Sequence, residues 1–168
     1  MEGVTGPVPR RPPRLGILAA MRRVEAEALV GARREEVWQL YDDIAGTPRW
    51  VPFVEEILYV SGPARVGCVY RERTRLAGVR ATEQWEIVEH RPQSRQVHVS
   101  FAHAMESALI ITFEARGTGT WVHQAAELRS RLWGPLGWLH ELLASFAAGH
   151  GVRAAVTGAK AAFEEGRR

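Results

Sequence analysis

One stretch limits what this chain can fold into: residues 133–165. Pro135 can occupy the first turn of a helix, where its missing N–H is no loss, and no proline follows it. Leu139, Leu142, Phe146, Gly149, Val152, Val156, Ala159 and Phe163 succeed one another at steps of three or four, the spacing of one helix face. About 30 residues at a rise of about 1.5 Å make a rod of roughly 45 Å. A rod of that length needs a broad partner to cover its apolar stripe. Gly149, Gly151 and Gly158 lie inside the pattern, and each costs about 1 kcal/mol relative to alanine in a helix interior. The stretch reads as a helical lid on a sheet, with room left beneath it.

The rest of the chain supplies such a sheet. Val24, Ala26, Ala28 and Val30 alternate with Glu25 and Glu27, the pattern of a half-buried strand. Residues 31–41 read as a helix with Val37, Leu40, Tyr41 and Ile44 on one face, ended by Gly46 and Pro48. Trp50 to Phe53 form an aromatic corner. Six closely spaced runs then follow: Val54–Ser61, Gly67–Leu76, Val79–Glu89, Arg95–Phe101, Ala108–Ala115 and Thr120–Leu128. Gly or Pro closes most of them, which predicts consecutive antiparallel hairpins. The order is strand, short helices, six strands, long helix. It predicts an α+β fold, a curved antiparallel seven-stranded sheet covered by the last helix.

Composition narrows the function classes. At 168 residues and 46% hydrophobic content, the chain is predicted to form a single domain over 22–168 with a substantial core. Residues 1–21, rich in Pro, Gly and Arg, read as a disordered basic tail. The net charge of +3 is uneven: residues 1–23 carry five Arg and one Glu, and the remainder is nearly neutral. A neutral folded part argues against nucleic-acid binding, which calls for a basic face. No run approaches the ~18 apolar residues of a membrane span, so stable membrane insertion is not expected. Cys68 is alone, which rules out an intrachain disulfide and fits a reducing cytoplasm. A monomer or a homodimer is expected.

Several short motifs fall in a familiar order. Ala32-Arg33-Arg34-Glu35-Glu36-Val37-Trp38 opens the first helix. Asp42-Asp43 leads to the corner Trp50-Val51-Pro52-Phe53. Gly62-Pro63-Ala64-Arg65-Val66-Gly67 makes a hairpin, and Trp85-Glu86-Ile87-Val88-Glu89-His90-Arg91-Pro92 ends a strand. Gly119-Thr120 precedes the last strand, and Gly134-Pro135-Leu136 the last helix. Over about residues 22–165 this series resembles the START-like superfamily, also called SRPBCC, which includes polyketide cyclases and aromatases and lipid- and quinone-binding proteins. The resemblance implies a helix-grip fold, in which the sheet wraps around the C-terminal helix over a deep apolar cavity. Members bind polyketides, sterols, lipids, quinones or plant hormones there, and only some are enzymes.

The candidate site residues follow from the patterns. Trp50, Phe53, Tyr70, Trp85, Phe113, Leu139, Phe146, Gly149 and His150 are the predicted ligand-binding residues, since aromatic and small apolar side chains suit a flat hydrophobic ligand. Two candidates could carry acid/base chemistry. Glu83 shares a face with Trp85 and Ile87 by alternation, so it points either into the cavity with a raised pKa or outward to Arg80 or Arg73. His150 reaches either a ligand or an ordinary interfacial partner. Arg71, Arg73 and Arg75 share the face opposite Tyr70 and Thr74 and are expected outside. For the last strand, either the face of Val122, Gln124 and Ala126 or that of Trp121 and His123 could be the inner one.

No metal site is expected: His98, His103 and Glu106 lie near one another in sequence but form no tight ligand set. No cofactor is expected either, for want of a Gly-rich phosphate loop or a nucleophile elbow. Three functions remain open: a carrier of a hydrophobic small molecule in a cavity bounded by the sheet and residues 139–156, a cyclase- or aromatase-type enzyme, and a protein-interaction module. The last predicts a collapsed cavity and an exposed apolar patch.

Overall fold

The computed structural model describes residues 21–76, 78–102 and 104–165. The predicted tail therefore lies, but for Met21, outside the described residues, as does His103. Strand β1 (Arg22–Val30) is followed by helix α1 (Arg34–Asp42) and a 3₁₀ segment (Ile44–Arg49). The meander comprises β2 (Val54–Val60), β3 (Val69–Leu76), β4 (Val79–Arg91), β5 (Arg95–Phe101), β6 (Met105–Arg116) and β7 (Gly119–Ser130). Helix α2 (Gly134–Glu165) completes the fold. Seven antiparallel strands form one sheet in the order β1-β7-β6-β5-β4-β3-β2. The chain thus closes on itself by laying β1 against β7, with Ala28 opposite Val122.

Local chemistry accounts for the elements. In α1 the Glu36 carboxylate accepts from the Arg33 backbone N–H at 2.9 Å, capping the first turn. Val37, Trp38 and Tyr41 are buried on the sheet side. The helix stops at Asp42, and the Asp43 carboxylate accepts from Gly46 N at 3.0 Å to start the 3₁₀ turn that contains Pro48. Gly117, at φ 58°, makes the β6–β7 turn in a backbone region that favours glycine. The expected exposure of Arg71, Arg73 and Arg75 is met: Arg73 pairs with Glu56, and Arg75 with Glu55, on the outer face. On β7 the inner face is that of Val122, Gln124 and Ala126.

Helix α2 packs along β1 and β7. Its buried positions include Gly137, Ser145, Gly149, Val152, Val156 and Ala159. The stripe drawn from sequence is therefore corrected at its N-terminal end, since Leu139, Leu142 and Phe146 are 46%, 39% and 71% exposed. The reason is rotational. Each step of three falls about 60° short of a full turn and each step of four overshoots by about 40°. Between Leu139 and Ala159 the threes dominate, so the two residues sit roughly 160° apart around the axis. The main core lies under α1, where Val30, Trp38, Tyr41, Phe113, Val122, Val156 and Ala159 pack together.

Candidate functional site

The inner faces of β3, β4 and β5 carry polar groups. Alternation on β3 turns Tyr70, Glu72 and Thr74 inward, all under 9% exposed. The register sets Glu72 opposite Glu83 and Tyr70 opposite Trp85 on β4. On β5, Gln96, His98 and Ser100 face inward and are buried. These strands, the 44–54 corner, α1 and Ala155 of α2 surround a cavity of about 80 Å³. Its apolar walls include Ile44, Trp50, Phe53, Trp85, Leu109 and Ile111.

Two polar constellations meet here. In the first, the Trp85 indole donates to Glu72 Oε1 at 3.1 Å. Burial pushes the Glu72 carboxyl up to about 7; the neighbouring Glu83 adds to the rise, and the indole opposes it. Burial also raises Glu83. In the second, Asp42 Oδ1 accepts from Gln96 Nε2 at 3.0 Å and from His90 Nε2 at 2.7 Å. The carboxylate requires the amide N–H, so the Gln96 carbonyl oxygen must face His98, 3.3 Å from its Nε2. His98 therefore carries its proton on Nε2, and its Nδ1 accepts from the Tyr70 hydroxyl at 2.8 Å. Desolvation, with the nearby His90 second, pulls His98 down to about 4, so the ring is neutral. Burial, and then the Glu72 and Glu83 charges, hold the Tyr70 phenol well above its usual range.

Three further polar atoms at the cavity lack a hydrogen-bond partner among the described residues: Tyr41 Oη, Trp50 Nε1 and Gln124 Oε1. The Tyr41 and Trp50 rings pack together at 4.7 Å, and burial raises the Tyr41 phenol. Buried polar groups are normally paired. Orphans gathered around one cavity are the groups that an incoming molecule can satisfy.

Of the residues predicted from sequence, Trp50, Phe53, Tyr70 and Trp85 come together here. Phe113 is elsewhere, in the core against Trp38 and Tyr41 at ring distances of 5.3 and 5.2 Å. Leu139 and Phe146 are exposed, and Gly149 lies beneath the Arg153 side chain rather than over the cavity. His150 is exposed as well, 5.4 Å from the Phe146 ring. It lines an open outer groove of about 580 Å³ with Trp50, Pro52 and Arg153. The continuous cavity expected along residues 139–156 is thus reduced to a small one that touches α2 through Ala155. Glu83 takes the inward alternative, since Arg80 and Arg73 are engaged with Glu55 and Glu56. Glu106 pairs with Arg129 at 3.0 Å, apart from His98.

Glu72, His98, Gln124 and Tyr41 were missed as site residues. Alternation from Tyr70 to Thr74 carries Glu72 with it and could have found it. His98 was harder, because β5 turns its polar side inward and leaves Val97 and Val99 outside.

The model of the polyketide cyclase / dehydrase and lipid transport family matches residues 21–164. The chain belongs to that family. No curated protein matches it. Solved structures place this family member within the START-like fold. A Streptomyces aromatase/cyclase is similar at a TM-score of 0.77, with 16% identity over 88% of this chain and 96% of the other. A START superfamily protein from Mycobacterium smegmatis gives 0.69, with 13% identity over 85% and 97%. A Thermus thermophilus protein gives 0.71, with 21% identity over 88% and 100%. The family member therefore has the helix-grip architecture expected from its motifs. Among the described residues, no helix is long and apolar enough to cross a membrane.

Proposed function

We propose that this family member binds a hydrophobic small molecule against the inner face of its sheet and exchanges protons with it. The observation that carries the reading is the set of unpaired polar groups, Tyr41 Oη, Trp50 Nε1 and Gln124 Oε1, around one cavity. Tyr41 Oη and Trp50 Nε1 are donors that can hold a ligand carbonyl oxygen. Glu72, with a pKa of about 7, can take or return a proton near neutrality. The Tyr70 hydroxyl gives its proton to His98 Nδ1 and so presents only acceptor lone pairs to a ligand. Abstraction of a proton beside a carbonyl by Glu72, with the enolate oxygen held by Tyr41 and Trp50, is the chemistry that this arrangement suits. A cyclase- or aromatase-type reaction is the enzymatic form of the proposal, in keeping with the aromatase/cyclase among its structural relatives.

The cavity of about 80 Å³ is far below the several hundred Å³ of a drug-sized ligand site, so admission of a ligand requires opening. Native mass spectrometry of the protein purified from its own host tests the reading. A co-purifying hydrophobic molecule is expected, lost in Ala155→Leu, which fills the cavity. A neutral probe, N-phenyl-1-naphthylamine, should likewise fluoresce with the native chain and not with Ala155→Leu. If the two proteins behave alike in both measurements, the cavity is not the binding site.

A protein-interaction role is the second reading, favoured by the apolar face of α2. Leu136, Leu143 and Phe146 are exposed on it, and Trp133, just before the helix, is 93% exposed. Concentration-dependent sedimentation that Leu136→Ser with Leu143→Ser abolishes would favour this role. A monomer at all concentrations that still binds the probe would favour the first.

A further inference from the structure

The charged groups at the cavity are of one sign. Glu72 lines it, and Glu83 stands directly opposite Glu72 on the same face. No Arg or Lys is among the lining residues. The arginines of the adjoining strands face away: Arg73 pairs with Glu56, Arg75 and Arg80 pair with Glu55, and Arg71 is exposed. The other elements contribute Tyr41, Thr47, Leu109, Ile111, Gln124 and Ala155, none of them charged at neutral pH. His98 is neutral and already bonded on both ring nitrogens.

Glu72 is buried and Glu83 partly so; with no cation beside them, desolvation raises both carboxyls, and the Glu83 charge adds to the rise of Glu72. Gln124 adds an independent sign of a missing donor. It is 5% exposed, lines the same cavity, and its amide oxygen has no partner among the described residues.

Resting on the ligand-binding reading above, we infer that the cavity takes an apolar molecule bearing a protonated amine at the Glu72–Glu83 pair and rejects the matching carboxylate. An ammonium group supplies donors beyond the one that Trp85 gives Glu72 and makes charge-assisted hydrogen bonds once the carboxyls ionise. A neutral alcohol gains only ordinary hydrogen bonds, and a carboxylate meets like charge. Ionisation of the pair releases protons, so the amine's affinity rises as pH rises through neutrality.

The test uses the full chain and three probes of one shape: benzylamine, benzyl alcohol and benzoate. Each competes against N-phenyl-1-naphthylamine fluorescence at about pH 5.5 and pH 8. Benzylamine should compete at least about tenfold better than benzyl alcohol at the higher pH, less so at the lower, and benzoate should not compete. Glu72→Gln and Glu83→Gln should each bring the amine down to the alcohol's level and leave the alcohol bound. Glu83, the more exposed of the two, gives a variant that folds even where Glu72 is structurally demanding. Benzoate competing as well as benzylamine, or an amine preference that both variants retain, would overturn the inference. Alcohol that competes as well as amine defeats the charge preference alone. If neither the probe nor any competitor binds, the ligand-binding reading falls with it.

Discussion

Replacing Glu72 with Gln should stabilise this protein at alkaline pH and leave it unchanged in acid. Burial, then the Glu83 charge, raise the Glu72 carboxyl from 4.5 to about 7. The folded state holds this proton more tightly than the unfolded chain does. The resulting stabilisation is complete below about pH 4.5 and is lost as pH rises through about 7. At about 1.36 kcal/mol per pH unit, the loss amounts to about 3 kcal/mol. Glu83 is raised by burial as well and adds in the same direction. Glutamine resembles the protonated carboxyl in shape, and its carbonyl oxygen can still accept from the Trp85 indole. The variant therefore escapes the alkaline loss. Urea unfolding followed by tryptophan fluorescence at about pH 4.5, 6, 7 and 8 would show two curves that meet near pH 4.5, separate steadily between there and about pH 7, and keep a constant gap above it. At pH 8 the variant should melt roughly 6–12 °C higher for a chain of this size. Parallel stability curves, or a variant weaker at every pH, would refute the placement of Glu72 in a cation-free cavity.

Other consequences are simpler to measure. A Cβ at Gly158 would run into the Trp50 carbonyl oxygen, so Gly158→Ala should lower stability by about 2–3 kcal/mol despite the better helix propensity of alanine, as read by denaturant midpoint. Tyr70→Phe leaves Nδ1 of a buried His98 without its donor and should cost about 1–3 kcal/mol. In the same variant the NMR titration of His98 should change, because the hydroxyl bonded to its Nδ1 is gone. Leu136→Ser and Leu143→Ser alter exposed positions and should shift unfolding by less than about 0.5 kcal/mol; a large loss would mean that this helix face is packed in solution.

The architecture was legible because its signals are local. Alternation marked β1, Gly and Pro marked the hairpins, and an uninterrupted apolar stretch marked α2. The site was less so. The α2 stripe went wrong because a run rich in steps of three drifts around the helix, taking Leu139 and Phe146 out of the buried face. On β5 the usual sense of alternation is reversed, and Gln96, His98 and Ser100 hide behind outward valines. What tolerates that inversion is a partner more than 50 residues away: Gln96 reaches Asp42 on α1, a contact no short-range pattern encodes. Glu83 was readable from its neighbours Trp85 and Ile87, and Glu72 from Tyr70 and Thr74, but that the two stand opposite one another shows only when β3 and β4 are set in register.

The contact between Gly158 and the Trp50 carbonyl decides which part of this molecule can move. It fixes the C-terminal half of α2 to the corner that carries Phe53, whose ring lies beneath Gly151. That corner and that half-helix are held together, so the opening that the proposed ligand requires would lie elsewhere. The half of α2 before Phe146 is held mainly at polar points, Glu141 and His140 on Ser130 and Arg22 over Trp138, while Leu136, Leu139, Leu142 and Leu143 stay exposed. Amide hydrogen exchange should accordingly be faster there than beyond Val152, and a larger ligand would enter from that end.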